Sequence, residues 1–347
     1  MTGRADNHTG MWTVVLVITA FLTAGCSDSY PLATTGRREL PRAPGPPPVL
    51  DAHDGTVVQD GATFWVFGTA YDCGFGLHKV GTKWCGIKAF SSTDLVVWTS
   101  RGYSIAPDDL WQQRCAPPRF GCYRPHVAKS PATGEWVLWV NSYDSPVGYH
   151  VLVAPSPAGP WRETAAPTLA VGGKGVLTRG DHDVFVDSAG RGWLAYTLIE
   201  KGVPTDIIVE HLNPELTSGA GETVRLGLDI VEAPALFERD GRFFLTYSDP
   251  ACPYCAAGTG LASAPSPLGP WTIASKLSAR SCEGQPAEVS ELRLADGPVW
   301  LYVADRWNKG NPNQAGARIW WEPLTFRSNG LPVPPRCVLS WPGGSSQ

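Results

Sequence analysis

Residues 231–248 carry the pattern of apolar and polar positions from which the fold is predicted. Apolar side chains continue up to Phe237, a polar turn follows at Asp240–Gly241, and an aromatic-rich second segment ends at Tyr247. Two apolar runs on either side of an Asp-Gly turn are typical of a β-hairpin. The pattern therefore predicts two antiparallel strands joined by a tight turn.

This arrangement, a turn glycine followed by an aromatic strand, occurs five times along the chain. The turn glycines are Gly61, Gly134, Gly190, Gly241 and Gly297, separated by 73, 56, 51 and 56 residues. A repeat of this length holds one four-stranded blade of a propeller. We therefore predict an all-β fold, a five-bladed β-propeller over residues 51–341, in which each blade contacts its neighbours.

The composition agrees with strands and tight loops. The 347 residues include 15 Trp, 38 Gly and 32 Pro, and only 17% are charged. Aromatic residues and turn formers without long helical periodicity favour strands, and many of the Trp side chains are expected in the core. A net charge of −4 offers no basic surface, so nucleic acid is not expected as a partner. We expect a monomer.

The first 26 residues are predicted to form a lipoprotein-type signal peptide. About twelve mostly apolar residues, 11–22, are too few to span a bilayer but suit a secretory signal. Small residues before Cys26 resemble a bacterial lipoprotein cleavage site, where Cys26 would be lipidated; the alternative is an ordinary signal peptide cleaved nearby. The Pro-rich residues 27–50 predict an extended tether. The protein is thus expected to be lipid-anchored on the outer face of a bacterial membrane, or secreted.

Cysteine usage agrees with export. Of the nine cysteines, eight follow Cys26, and an even number in an exported chain predicts disulfides whose pairing is open among about 105 possibilities. Cys73 with Cys85, and Cys115 with Cys122, are candidate local clips. The run 252–255 has a Cys at each end, which also suits a redox pair or half of a zinc site. Without a thioredoxin-like pattern or a second such run, a structural staple is the better interpretation.

Acidic residues occupy equivalent positions in several repeats. Counted back from the turn glycines, they are Asp54 (seven before), Asp181, Glu232 and Glu288 (nine before), and the second repeat has Arg124 (ten before). The first strand of each blade lines the central channel, so these side chains are expected to meet at one end of the axis. A single charge at a strand start is more often a solvated turn residue. Several equivalent acids instead predict a proton donor beside a base, because repulsion and desolvation raise the pKa of at least one acid.

Glu232 lies just ahead of the first strand of the fourth repeat. Pro234 is expected to keep the preceding residue, Ala233, in an extended conformation. This would fix the Glu232 carboxylate at the strand mouth, where a proton donor and a base are what glycosidic bond cleavage needs.

Several of these segments resemble family 43 glycoside hydrolases. The signatures of the three catalytic blades correspond to residues 54–58, 180–187 and 232–237. The resemblance covers about residues 51–326 and implies a five-bladed propeller with an inverting mechanism. Residues 52–53, 124–127 and 305–307 are more similar to the exo-β-1,3-galactanase branch of that family.

The resemblance implies a role for each of three acids. Asp54 corresponds to the general base, Asp181 to the acid that tunes pKa and orients substrate, and Glu232 to the general acid. In a single displacement, Glu232 protonates the leaving oxygen while Asp54 activates water on the opposite face. Inversion requires acid and base carboxyls roughly 6.5–9.5 Å apart.

Six further residues are candidates for substrate binding. They are His53, Arg124, His126, Glu288, Arg306 and Trp307. Arginine binds sugar hydroxyls and tryptophan stacks on sugar rings, but a blade-joint ion pair and a core Trp explain the same residues equally well. An isolated His is as often a satisfied structural group.

No cofactor is expected to be required, and the sequence assigns no metal ligands. Some members of the family that this chain resembles hold a calcium ion in the channel. The chain has no self-sufficient run of calcium ligands, so Ca²⁺ in the central channel is left as an option.

The substrate is left open between two classes of sugar. The galactanase branch typically lacks the first-blade Asp and has a Gln in the fifth blade, whereas this chain has Asp54 and, in the fifth blade, both Gln285 and Glu288. The expected function is an exported inverting hydrolase of galactose- or arabinose-containing polysaccharide. The alternative is a propeller lipoprotein that binds glycans without cleaving them.

Overall fold

The computed structural model describes residues 50–76, 79, 81–116, 121–143, 147–172, 179–248, 258–274, 276–308, 313–339 and 341. Within these residues almost all regular structure is β-strand. The exceptions are a short helix, α1 (Asp109–Cys115), whose first turn is capped by the side chain of Asp108, and a 3₁₀ turn at Ser281–Glu283. No helix in the described ranges is long and apolar enough to cross a membrane.

The strands form five antiparallel sheets, each of which is one blade. Blade 1 contains β1 (His53–Asp60), β2 (Thr63–Thr69), β3 (Ile87–Ser92) and β4 (Thr99–Ile105). Blade 2 contains β5 (Cys122–Lys129), β6 (Trp136–Ser142), β7 (Tyr149–Ala154) and β8 (Arg162–Glu163). Blade 3 contains β9 (Arg179–Val186), β10 (Gly192–Glu200), β11 (Val203–Leu212) and β12 (Gly219–Arg225).

The last two blades follow in the same order from the inside outwards. Blade 4 contains β13 (Glu232–Arg239), β14 (Arg242–Ser248), β15 (Thr259–Ala264) and β16 (Thr272–Ile273). Blade 5 contains β17 (Gln285–Leu294), β18 (Gly297–Arg306) and β19 (Arg318–Pro323), which are its three strands within the described residues.

The first strands of the five blades form a closed inner ring. β1 packs against β5, β5 against β9, β9 against β13, β13 against β17, and β17 against β1. This is the five-bladed propeller predicted from the repeats. The turns between the first two strands fall at the predicted glycines; Gly61 and Gly241, for example, have φ of 58° and 71°, where a side chain would be strained.

The beginning of the inner strand is irregular in all five blades. The pairing register shifts between His53 and Thr56, Tyr123 and His126, Arg179 and His182, Glu232 and Ala235, and Pro286 and Glu288. Asp54, Arg124 and Ala233 lie within these bulges and have φ of 50°, 57° and 55°. The prediction that Pro234 keeps Ala233 extended is therefore wrong, because the bulge requires a left-handed residue there. Such bulges turn side chains out of the strand and toward the channel mouth.

Apolar clusters between adjacent blades form the core. Trp139 and Tyr149 of blade 2, for example, are fully buried and share a cluster with Leu194 and Tyr196 of blade 3. Leu50, which the sequence assigns to the tether, is buried in the cluster of Trp321 in blade 5. The packed domain thus includes at least this residue of the predicted tether.

Disulfides close three loops in the described part of the chain. The predicted clips Cys73–Cys85 and Cys115–Cys122 are both present. A third bond, which the sequence leaves unassigned, joins Cys282 to Cys337. The Cys-containing run 252–255 and Cys26 lie outside the described residues, as do the signal segment and residues 27–49 of the tether.

The Cys282–Cys337 bond is expected to stabilise the domain more than either local clip. It closes a 55-residue separation, for which chain entropy predicts about 4 kcal/mol, against about 3 kcal/mol for the 12-residue separation of Cys73–Cys85. We expect Cys282→Ser/Cys337→Ser to lower the free energy of unfolding in urea more than Cys73→Ser/Cys85→Ser. Equal losses in the two double variants would contradict this ranking.

Candidate active site

The inner strands bring acids from three blades to the same end of the channel. Asp54 is the second residue of β1, Asp181 the third of β9 and Glu232 the first of β13. Arg124, from the beginning of β5, interacts with all three. Its backbone N–H lies 3.2 Å from Oδ1 of Asp54, its Nη1 lies 3.8 Å from Oδ2 of Asp181, and its charge lowers the pKa of Glu232.

Glu232 is held in its protonated form near neutral pH. Burial and the charge of Asp181 raise the pKa of Glu232 to about 8, against the opposing effects of Arg124 and Gln285. The amide Nε2 of Gln285 donates a hydrogen bond of 3.0 Å to Oε1 of Glu232. A partly exposed carboxylic acid with a raised pKa suits a general acid.

Asp54 is more deeply buried and differently connected. Its Oδ1 accepts hydrogen bonds from the hydroxyl of Thr69, at 2.7 Å, and from the backbone N–H of Arg124. Burial and the charge of Asp305 raise the pKa of Asp54 to about 7. A carboxyl group with a pKa near neutrality can be ionised while Glu232 still carries its proton, which is the division that acid–base catalysis needs.

Arg124 connects the inner strands of all five blades. It lies in blade 2, its N–H binds Asp54 of blade 1, and its Nε donates to the carbonyl of His182 in blade 3 at 3.0 Å. Its Nη2 donates to the carbonyls of Pro234 in blade 4 and Ala287 in blade 5, at 3.1 and 2.8 Å. The side chain is 2% exposed. These contacts place the Arg124 guanidinium, which the sequence predicts to bind sugar, at the junction between the blades.

The fifth blade presents Gln285, not Glu288, to the acids. The carboxylate of Glu288 faces blade 1, where it accepts hydrogen bonds of 2.6 Å from the hydroxyl of Thr56 and the N–H of Val57. Burial and the charge of Asp183 raise the pKa of Glu288 to about 8. Glu288, predicted as a substrate-binding residue, thus joins blade 5 to blade 1, and the ambiguity between the two positions is resolved by the bulge between Pro286 and Glu288.

The two predicted histidines are buried beside carboxylates. His53 is fully buried, and its Nδ1 lies 3.2 Å from Oδ1 of Asp305, whose other oxygen accepts the N–H of Asp54 at 2.7 Å. His126 is 1% exposed, and its Nδ1 lies 2.9 Å from Oδ1 of Asp183. Burial lowers the pKa of His126. In the described structure, both rings therefore pair with buried carboxylates next to the bulges of β1 and β5.

Arg306 and Trp307 lie at the end of the second strand of blade 5. Nη2 of Arg306 donates to Oε2 of Glu283 at 2.7 Å, and its guanidinium lies 5.1 Å from the ring of Trp320. Nε1 of Trp307 donates to Oε1 of Gln285 at 2.8 Å. Trp307 is partly exposed, and its role in sugar binding stays a prediction.

Sequence reasoning did not assign roles to three residues that shape the site. Thr69 and Asp305 fix Asp54, and Asp183 joins His126 to the backbone N–H of Leu236 in blade 4, at 2.6 Å from its second oxygen. Asp183 and Asp305 stand inside the segments that carry the family resemblance. The sequence contained no pattern that predicts the contacts of Asp183 and Asp305 with residues of other blades.

The fit of a calcium ion to the channel depends on which carboxylate oxygens are not already used in protein hydrogen bonds. Nowhere in the described ranges do three or more His, Cys, Asp or Glu side chains group so as to hold a metal ion. Asp183 and Glu288 each use both oxygens for protein hydrogen bonds. Calcium takes six to eight oxygen ligands, so these residues do not fit the ion.

Comparison with known families agrees with this arrangement. The family model of glycosyl hydrolases family 43 matches residues 47–332, which is most of the chain. The chain belongs to glycosyl hydrolase family 43. The members of family 43 are inverting enzymes, so this protein is an inverting glycoside hydrolase that acts on O-glycosidic bonds.

Solved structures of other family 43 proteins share the fold. A β-1,3-galactosidase solved with galactodeoxynojirimycin is 21% identical, with a TM-score of 0.67 over 82% of this chain and 93% of its own. The exo-β-1,3-galactanase of Clostridium thermocellum is 22% identical, with a TM-score of 0.69 over 82% and 62%. That of Phanerochaete chrysosporium, solved with β-1,3-galactotriose, is 21% identical, with a TM-score of 0.66 over 85% and 66%.

This chain spans less than two thirds of the Clostridium and Phanerochaete chains. No curated protein matches this chain at a significant level. The similarity to the solved structures therefore establishes the propeller, and the choice of substrate depends on the residues of the site.

Proposed function

We propose that the protein is an exported, exo-acting hydrolase that releases galactose from β-1,3-linked galactan. The observation that carries this proposal is the contact between Gln285 and the general-acid candidate Glu232 at the channel mouth. A glutamine in the fifth blade is a feature in which the chain resembles the exo-β-1,3-galactanase branch. The structural neighbours that are galactosidases or galactanases support the same substrate class.

In the proposed mechanism, Glu232 donates its proton to the glycosidic oxygen as the bond to the anomeric carbon breaks. Asp54, ionised, takes a proton from a water molecule that attacks the opposite face, so the sugar is released with inverted configuration. Asp181 keeps the pKa of Glu232 high through its negative charge. Both products are neutral, and the acid and base exchange protons with solvent before the next turnover.

The pH dependence follows from the two raised pKa values. The reaction needs ionised Asp54, so the rate falls as the pH drops below the Asp54 pKa of about 7. It also needs protonated Glu232, so the rate falls as the pH rises above the Glu232 pKa of about 8. We expect a bell-shaped profile of kcat/KM with its maximum between pH 7 and 8. The measurement is the release of galactose from β-1,3-galactotriose in overlapping buffers at constant ionic strength. A maximum near pH 5 would contradict the proposed assignment of acid and base.

A substrate screen tests the function itself. β-1,3-, β-1,4- and β-1,6-galactobiose, arabinan oligosaccharides and aryl α-L-arabinofuranosides are compared, and the anomer released first is identified by ¹H NMR. We expect turnover of the β-1,3-linked substrate from its non-reducing end, with α-galactose as the first product. Preferential release of arabinose would show that the substrate is an arabinan and not a galactan. Binding without any turnover would favour the glycan-binding alternative.

Export and anchoring form a separate part of the proposal. Three disulfides in the described structure are typical of proteins outside the cytoplasm. Lipidation of Cys26 after removal of the first 25 residues would place the propeller on a tether at the outer membrane face. In a bacterial host, Cys26→Ala is expected to move the protein from the membrane fraction to the soluble fraction. An unchanged distribution would contradict the lipid anchor.

A further inference from the structure

Three side chains from two blades form a hydrogen-bonded row that ends on the general-acid candidate. Nε1–H of Trp307 donates to Oε1 of Gln285 at 2.8 Å. Nε2–H of Gln285 then donates to Oε1 of Glu232 at 3.0 Å. Gln285 is 9% exposed, so water does not readily replace either partner.

The chemistry of the first group in the row fixes the orientation of the second. An indole nitrogen only donates hydrogen bonds, whereas a carboxamide has a donating and an accepting end. The accepting end of Gln285 must therefore face Trp307. Its NH₂ group is then left facing Glu232, so the orientation of the amide follows from the partner and not from a choice between two similar atoms.

We propose that Trp307 is a positioning residue: by holding the oxygen of Gln285, it directs the Gln285 N–H to Oε1 of Glu232 and leaves Oε2 of Glu232 to carry the catalytic proton. This inference rests on the proposed role of Glu232 as the general acid. An oxygen that accepts the amide N–H is the weaker site for the proton. The row therefore selects one of the two carboxyl oxygens as the donor to the glycosidic oxygen.

The surroundings hold both Trp307 and Gln285 in place. The ring centroid of Trp307 lies 5.8 Å from that of His53 and 6.4 Å from that of Tyr71. Gln285 directly follows the 3₁₀ turn and Gly284, and Cys282 in that turn is tied to Cys337.

The turn before Gln285 has an unusual backbone. Ser281, Cys282 and Glu283 have φ of 47°, 52° and 66°, in the left-handed region that non-glycine residues rarely adopt. Arg306, the residue before Trp307, binds Glu283 at 2.7 Å. The adjacent residues Arg306 and Trp307 thus hold the Gln285 segment at two points.

Loss of the indole N–H has a defined consequence for Glu232. Without it, the Gln285 amide can turn and present its oxygen, to which protonated Glu232 would donate its own hydrogen. The acidic proton is then bound to Gln285 instead of being free for the leaving oxygen. The other charged groups that act on Glu232, Asp181 and Arg124, are unchanged by this rotation.

The test compares Trp307→Phe, Gln285→Met and the combined variant with the wild type. The pKa of Glu232 is measured by ¹³C NMR of glutamate-labelled protein, with Glu232→Gln to assign the signal, and kcat/KM is measured against pH with β-1,3-galactotriose. We expect Trp307→Phe to raise the pKa of Glu232 and the basic limb of the rate profile by roughly one pH unit, and to lower kcat roughly tenfold. The combined variant should match Gln285→Met, because Trp307 acts only through the amide.

Trp300→Phe is the matched control. Nε1 of Trp300 also donates a hydrogen bond, to the carbonyl of Glu238 at 2.8 Å, at the opposite end of the inner ring. This control should leave the pKa of Glu232 and the rate profile at their wild-type values. An unchanged pKa of Glu232 in Trp307→Phe, or additive effects in the combined variant, overturns the proposal.

A measurement on the wild type covers the case in which a variant does not fold. The ¹⁵N and ¹H signals of the Gln285 side-chain amide should shift with the titration of Glu232, because the NH₂ group faces that carboxyl. An amide that does not follow the titration overturns the proposal. Both NMR readouts need no substrate, so they separate a failure of this inference from a failure of the proposed galactanase activity.

Discussion

Glu232→Gln is expected to lower kcat on β-1,3-galactotriose by about 10²–10⁴-fold, the range that a positioned general acid contributes. The amide keeps the size of the side chain and can still meet Gln285, but it has no acidic proton for the leaving sugar. The initial rate of galactose release measures the loss. Glu291→Gln is the matched control, because Glu291 lies six residues beyond Gln285 on β17, toward the opposite end of the ring. This control should retain the wild-type rate.

The leaving group separates the role of Glu232 from that of Asp54. From a 2,4-dinitrophenyl β-galactoside the leaving group is 2,4-dinitrophenolate, which departs without protonation, so Glu232→Gln should lose little activity on this substrate. Asp54→Asn should lose activity on both substrates, because water activation is needed whichever group leaves. Equal losses of Glu232→Gln on the two substrates would contradict its role as acid. An active Asp54→Asn would exclude Asp54 as the base.

Arg124→Met is expected to lower the free energy of unfolding by about 3–6 kcal/mol. The substitution removes the donors to the carbonyls of His182, Pro234 and Ala287, and leaves these buried oxygens without their charged partner. Urea unfolding followed by tryptophan fluorescence measures the loss. Lysine keeps the charge but not the fork of donors, so Arg124→Lys should recover only part of the stability.

Arg293→Met is the control for the loss of an arginine from the inner ring. Arg293 lies near the end of β17, its side chain is 82% exposed, and its guanidinium Nε is 3.9 Å from Glu291. A surface ion pair of this kind contributes at most about 1 kcal/mol. A loss for Arg124→Met no larger than that for Arg293→Met would show that Arg124 does not hold the blades together.

Much of the fold could be predicted because its signals are local. The alternation of apolar residues, the turn glycines and the aromatic second strands are complete within about twenty residues, and each of the five copies repeats them. Positive φ at Gly61 and Gly241 follows from the turns themselves. The two short disulfides Cys73–Cys85 and Cys115–Cys122 were predicted for the same reason, because their loops close within one segment.

The site was predicted less completely because its contacts are not local. Arg124 meets Ala287 across 163 residues of sequence, and Glu288 meets Thr56 across 232. Counting from the turn glycine placed Glu288 at the position equivalent to Glu232, but the bulge in β17 aims it at blade 1 and brings Gln285 to the mouth. A bulge of one residue reverses the face on which a side chain lies, and repeat spacing alone does not reveal it.

The sequence by itself determined five aromatic hairpin repeats, the positions of their turns and a set of acids at equivalent strand starts, because each of these depends on neighbours along the chain. Only the tertiary structure decided which polar groups face one another at the channel mouth. When the ring closes, Arg124 contacts residues of the four other blades, and Asp54 is buried beside Asp305. Gln285 then lies between Trp307 and Glu232. Those contacts fix the pKa values on which the proposed chemistry depends, since desolvation and nearby charge exist only once distant segments are packed together.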